Sequence, residues 1–244
     1  MAIAKRSGAE RVSHAPPATR IYAIGDIHGR ADLLYDTVER IDDDLYRRPV
    51  ERAVEVYVGD YIDRGDDSKS VIDILCRRLV QRSAICLRGN HEAMLEDFLR
   101  DPEVVHGWMR LGALSTLASY GVPIPPSAPL VPAKLHRAFC DALPRTHILF
   151  LQCLRNAYQC GDYLFVHAGI RPGVPLHEQV QDDLIWIRDE FLQSTADHGC
   201  TVVHGHTPVT HPQICGNRIN IDTGAVFTGR LTCAVLEAAS VSFL

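Results

Sequence analysis

Short apolar runs rich in β-branched and aromatic residues recur along this chain, and each stops abruptly at a glycine with Asp, Asn or His beside it. Six stand out: RIYAIGDIHG (20–29), AVEVYVGD (53–60), AICLRGNHE (84–92), YLFVHAG (163–169), TVVHGHT (201–207) and RINIDTG (218–224). Their length and composition predict buried strands that end in turns. Between the first three, ADLLYDTVERIDDDLYRR (31–48) and SKSVIDILCRRLVQR (68–82) place apolar residues at helical spacing. Strands alternating with helices predict an α/β fold with helices packed on sheet. Residues 93–160 break the rhythm with a helical start, a proline-rich bend (VPIPPSAPLVP) and a second helical stretch, which predicts a helical insertion or cap. Residues 1–19 mix Arg, Ser, Ala and a Pro-Pro pair without periodicity and predict a flexible leader that catalysis does not need, leaving 20–244 as one domain.

Ligands in α/β sheets gather beyond the carboxyl ends of the strands, where this chain keeps most of its polar chemistry. Asp26, His28, Asp60, Asn90, His167 and His206 would converge there: two carboxylates, an amide oxygen and three imidazoles. Without cations the carboxylates would repel each other and lose their hydration. Oxygen and imidazole donors without thiolate suit Mn first, with Fe, Zn, Co or Ni open. Six ligands exceed what one ion with a free water position needs, but they divide between two ions sharing a carboxylate, with Asp60 as the natural bridge. Taken singly, each motif has a plainer explanation: a GD after a strand is usually a turn, and a strand-end histidine is usually structural. Their joint occurrence points to metal.

With 244 residues, 46% of them hydrophobic, the chain can bury one substantial core. A formal charge of −5 gives no basic field for tracking a phosphate backbone, so nucleic acid is not expected as a partner. The eight scattered cysteines (Cys76, Cys86, Cys140, Cys153, Cys160, Cys200, Cys215 and Cys233) form no C-x-x-C pair, so reduced thiols and a cytoplasmic location are expected. No window approaches the roughly 18 apolar residues of a membrane span. No heptad seam is present, and a monomer is the default.

The ordered set GDIHG, GDYIDRG, GNHE, HAG and GHT resembles the phosphoprotein phosphatase branch of the calcineurin-like metallophosphoesterases. The resemblance runs from about residue 20 to the C-terminus. The tail from GHTPVTHPQICGNRINIDTG onward is similar to the bacterial and phage lambda-type serine/threonine, or dual-specificity, enzymes, whereas 93–160 is the least specific part. It implies a four-layer α/β/β/α sandwich with a dinuclear centre: Asp26, His28 and Asp60 on the first metal, and Asp60, Asn90, His167 and His206 on the second. A bridging hydroxide would be the nucleophile. Arg64 would grip phosphate oxygens, with a surface pairing to Asp66 or Asp67 as its plainer alternative. His91 would protonate the leaving oxygen, oriented by Asp63. Arg188, in DDLIWIRDEF, matches a second phosphate-binding arginine, with a salt bridge to Asp189 or Glu190 as its alternative. Pro208 stands where the wider superfamily has a second histidine, as it does in this branch. His204, Asp222, His198, His211 and Arg171 are expected to be structural, shaping or ordinary loop residues.

The expected activity is metal-dependent phosphomonoester hydrolysis, with a phosphorylated protein or peptide as the leading substrate. A symmetrical dinucleoside polyphosphate hydrolase is the rival with the same metal motifs, because fold and chemistry alone do not fix substrate. A non-catalytic module that keeps metals only as scaffold would require a missing motif residue, and none is missing.

Overall fold

The computed structural model describes residues 12–124 and 129–244. Its strands are β1 (Thr19–Ile24), β2 (Arg52–Tyr57), β3 (Ala84–Cys86), β4 (Ala157–Cys160), β5 (Tyr163–Val166), β6 (Thr201–His204), β7 (Gln213–Ile214), β8 (Arg218–Asn220), β9 (Cys233–Glu237) and β10 (Ser240–Phe243). They form two mixed sheets in the orders β10-β9-β1-β2-β3 and β4-β5-β6-β8-β7. Each has a parallel centre, β1-β2-β3 in one and β5-β6-β8 in the other, with antiparallel strands outside it.

All six residues of β1 are buried because both faces of the strand are covered. Alternation sends Ile21 and Ala23 to one face, where they meet Val54, Val56, Phe165, Val203 and Ile219 in the core between the sheets. Tyr22 and Ile24 point the other way, into a helical layer. That layer comprises α1 (Ala31–Arg47), α2 (Ser68–Gln81), α3 (Asn90–Arg100), α4 (Val105–Trp108), α5 (Ala113–Ser119), α6 (Pro132–Ala142) and α7 (Arg145–Gln152). On the far face of the second sheet, α8 (Gln181–Trp186) and α9 (Asp189–Leu192) cover Leu164, Val166 and Val202. A last short helix, α10 (Ala225–Thr228), follows β8. The architecture is the expected four-layer α/β/β/α sandwich.

The six predicted runs end as β1, β2, β3, β5, β6 and β8, and their carboxyl ends point to one edge of the sandwich. Segment 93–160 is not helical to its end, since residues 157–160 form β4. Nor does it stand apart as a cap. Phe98, Trp108, Phe139 and Phe150 are buried with residues of α1 and α2 in one cluster. Residues 125–128, in the proline-rich bend, lie outside the described residues.

The leader expected through residue 19 is shorter than predicted. Residues 1–11 lie outside the described residues, but the Ala15 N–H donates to Ala238 O at 2.8 Å and the Tyr163 hydroxyl to Ser13 O at 3.1 Å. Ser13 and Thr201 share a buried hydroxyl contact of 2.6 Å. Small residues without periodicity fill the gap beside the strand starts, so no apolar pattern announced them.

Candidate metal centre

Five of the seven non-glycine residues with left-handed backbone among those described belong to the strand-end loops: His28 (φ 46°), Asp60 (52°), Asp63 (70°), Arg64 (69°) and His206 (65°). Each such conformation costs free energy, and a cluster of them persists only where the surroundings over-determine it. Glu92 supplies much of that restraint. It is fully buried at the start of α3 and accepts from the N–H groups of Gly89 (3.0 Å), Asp60 (2.9 Å), Tyr61 (2.7 Å) and Ile62 (3.3 Å), tying two motif loops together. The loops touch so closely that a Cβ on Gly89 would collide with Asp60, and one on Gly205 with Asp26.

Asp60 sits at the middle. The Nδ1–H of His28 donates to Ile62 O and that of His167 to Val58 O, both at 2.9 Å, which leaves each Nε2 with a bare lone pair. Those nitrogens face the two oxygens of Asp60, His28 at 3.5 Å from Oδ2 and His167 at 3.3 Å from Oδ1. Burial keeps the rings neutral, the form that binds metal: it pushes His28 down to about 3 and His206 to about 2, and lowers His167 as well. Acceptors facing a carboxylate on both sides repel unless cations lie between them. Asn90 Oδ1 lies 3.0 Å from His167 Nε2 and 2.9 Å from His206 Nδ1, which completes the convergence on one side.

Asp26 adds a second indication. Its Oδ2 accepts from the His206 N–H at 3.0 Å, while the buried Oδ1 has no hydrogen-bond partner. Burial, then Asp222 and Asp60, push its pKa well above the ordinary carboxylate range. The donor set therefore fits divalent cations. Two groups have ligand atoms within 4.8 Å of one another, His28, Asp60 and His91 in one and Asp60, His167 and His206 in the other. Asp26 is in neither group, and His91 stands in the first where Asp26 was expected.

His91 is committed elsewhere by its other nitrogen. Its Nδ1–H donates to Asp63 Oδ2 at 2.7 Å, while Arg64 Nη2 approaches Nε2 at 3.2 Å. Burial lowers the pKa of the imidazole, but the carboxylates of Asp60 and Asp63 outweigh it, and the net direction is upward. Asp63 is held in turn by the Trp108 indole N–H on Oδ2 at 2.7 Å and by the Thr116 hydroxyl on Oδ1 at 2.6 Å. Neither residue was singled out from sequence, because both fall in the helical segment with the least specific pattern. Glu92 lay within the GNHE motif but had no assigned role.

Arg64 has no carboxylate partner among the described residues, so the alternative pairing with Asp66 or Asp67 is absent. Arg188 makes no ion pair with Asp189 or Glu190. Its Nη1 donates to Thr207 Oγ1 at 3.2 Å, and Glu190 is held instead by Arg171. Arg171 also grips Asp183 through Nε (2.7 Å) and Nη2 (2.6 Å), a structural task. Asp222 shapes its turn by accepting from the Gly224 N–H at 2.8 Å, and burial raises it to about 6. His204 is buried edge-on against Phe191, outside both candidate ligand groups. No helix among the described residues is long and apolar enough to cross a membrane.

Similar proteins bear on the family of the chain. The asymmetrical bis(5'-nucleosyl)-tetraphosphatase PrpE of Geobacillus thermodenitrificans is 29% identical over 229 residues, covering 86% of this chain and 87% of its own. A crystal structure described as a candidate diadenosine tetraphosphatase superposes with a TM-score of 0.62 at 21% identity, covering 95% of this chain and 97% of the other. The cold-active protein-tyrosine phosphatase of a psychrophilic Shewanella gives 0.60 at 15% identity, covering 98% and 86%. At such identities the two structures speak for the fold alone. The calcineurin-like phosphoesterase family model matches residues 19–234, so the chain belongs to that family and is a hydrolase.

Proposed function

We infer that this phosphoesterase hydrolyses dinucleoside tetraphosphates, cutting them asymmetrically into a nucleoside monophosphate and a nucleoside triphosphate. The observation that carries the reading is the similarity to asymmetrical bis(5'-nucleosyl)-tetraphosphatases over most of both chains. It favours the rival reading over the protein phosphatase put first from sequence, and it supports an asymmetrical cut rather than the symmetrical one expected of that rival.

Asp26, His28, Asp60, Asn90, His167 and His206 would hold two divalent cations, Mn being the first to assay. When bound, such ions lower the pKa of water and neutralise phosphoryl oxygens. The remaining roles fall to the chain's own groups. Arg64 and Arg188 carry charge at the mouth, with no carboxylate partner among the described residues, and would orient the phosphate oxygens. Once Arg64 turns to substrate, His91 Nε2 is free to carry a proton, and Asp63 fixes the ring through Nδ1. Water oxygen then bonds to phosphorus and releases a proton to solvent, the bridging P–O bond breaks, and His91 donates its own proton to the departing oxygen.

One observation favours a second reading, a phosphomonoesterase acting on phosphorylated protein. A serine alkoxide leaves poorly without a proton, and the His91–Asp63 pair supplies one, whereas a nucleoside triphosphate leaves more readily. The deciding test is kcat/KM in manganese buffer for diadenosine tetraphosphate against phosphoserine and phosphotyrosine peptides, with Asp60→Asn as blank. Dinucleotide preference of about 100-fold or more, some 2.7 kcal/mol in transition-state stabilisation, supports the first reading. Faster peptide turnover that vanishes in the blank would return protein phosphatase to first place.

A further inference from the structure

Trp186 ends α8 with 42% of its surface exposed, yet its ring stands 6.1 Å from that of His206 at an angle of 88°. Among the exposed large apolar side chains described, it alone makes a ring contact with an imidazole of the centre. Exposure alone marks nothing, since single apolar side chains at a surface are ordinary, but the position beside His206 is specific and α8 is anchored so as to hold the ring there. Leu184 and Ile185 are buried in the core of the second helical layer. Leu184 O accepts from the Ala168 N–H at 2.8 Å, one residue from His167. Asp183 is gripped by Arg171. A Cβ on Gly169 would strike Phe191 and approach Ile187 to 2.9 Å, so the HAG glycine lets the segment carrying Trp186 close onto the centre. Two residues on, Arg188 brings a cation to the same rim.

We propose that Trp186 is a stacking platform for a nucleobase, a subsite that seats one nucleoside of the substrate and thereby selects which phosphorus lies at the centre. The proposal rests on the dinucleotide reading above. Every nucleobase presents a π-face, and a rigid indole accepts it with little ordering cost. Because the platform adjoins a ligand candidate, a base seated on it brings in the phosphate attached to its own ribose. A phosphate farther along the chain would need a platform farther away. The asymmetrical cut follows from that placement.

The chain has two tryptophans, and Trp108 is wholly buried, so a base stacking on Trp186 has its own optical signal. The test uses the manganese-loaded enzyme, with AMP, checked for phosphate release, and inorganic phosphate as probes and diadenosine tetraphosphate as substrate. AMP should quench the tryptophan emission and phosphate should not, and Trp186→Phe should lose the quenching while keeping KM for the dinucleotide within about threefold. Trp186→Ala should raise that KM by about 10- to 100-fold, with a smaller fall in kcat. Emission that ignores AMP, or a KM that Trp186→Ala leaves in place, overturns the platform. If the wild type does not cleave the dinucleotide at all, it is the functional reading that fails.

Discussion

Asp26 and Asp63 are both buried carboxylates in strand-end loops, and the protein treats them in opposite ways. Asp63 is finished by its own chain, with Trp108, Thr116 and His91 all donating to it. Asp26 has one oxygen on the His206 N–H and the other on nothing, with burial, then Asp222 and Asp60, raising its pKa. An anion that satisfied exists to point its neighbour, here the His91 ring. An anion that unsatisfied is waiting for a positive charge the chain does not supply. On the proposed roles the contrast separates two jobs of the site: proton delivery would be built from protein alone, while charge neutralisation would be left to cations.

The comparison should break most sharply at Asp60, which belongs to both candidate ligand groups. Asp60→Asn should cut kcat/KM on the order of 10³-fold, about 4 kcal/mol, in steady-state assays at saturating manganese. A loss under tenfold would show that the carboxylate bridges nothing. On the proton side, His91→Asn should lower kcat by about 100-fold for a substrate with a poor alkoxide leaving group, and much less for p-nitrophenyl phosphate, whose phenolate leaves unaided. Equal losses on both would remove His91 from the acid role.

The pH profile sharpens the same half. Activity that needs protonated His91 is complete below its raised pKa and falls as pH rises through it. Asp63→Asn removes one of the charges that raise it, so the alkaline limb should move to lower pH. Trp108→Phe, which leaves Asp63 Oδ2 with the His91 Nδ1–H as its one side-chain donor, should lower kcat by about tenfold without changing KM. Changes confined to KM would place Trp108 in substrate binding instead.

The smallest effects are in stability, and there the two carboxylates should differ in sign. In metal-free protein at neutral pH, Asp63→Asn should cost about 2–4 kcal/mol, since it weakens three donated hydrogen bonds in the interior. Asp26→Asn should instead stabilise by about 1–2 kcal/mol, because it removes a carboxyl group whose ionisation burial, Asp222 and Asp60 all disfavour in the folded protein. Urea denaturation reads both values.

How much of this was legible in sequence follows from the same physics. The six strands that end in chemistry were visible because buried parallel strands are continuous apolar runs closed by turn residues. β9 was missed although four of its five residues are buried, because it ends in no such signal, and β4, β7 and β10 are short strands outside the parallel centres. The ligand candidates were readable as types, since carboxylates and imidazoles at strand ends need a shared reason. What sequence could not give is the support behind them. Trp108 and Thr116 reach Asp63 from 45 and 53 residues away, along helices whose pattern reports only burial. The left-handed backbone at Asp60, Asp63 and Arg64 is equally silent, because no glycine marks it.

The most direct measurement is the number of divalent ions retained per chain after manganese loading and dialysis, read by plasma mass spectrometry for the wild type and Asp26→Asn. The predicted result is two in the wild type and one in the variant. One ion or none in the wild type, or two held in the variant, would contradict the claim that Asp26 waits for a cation in a dinuclear centre.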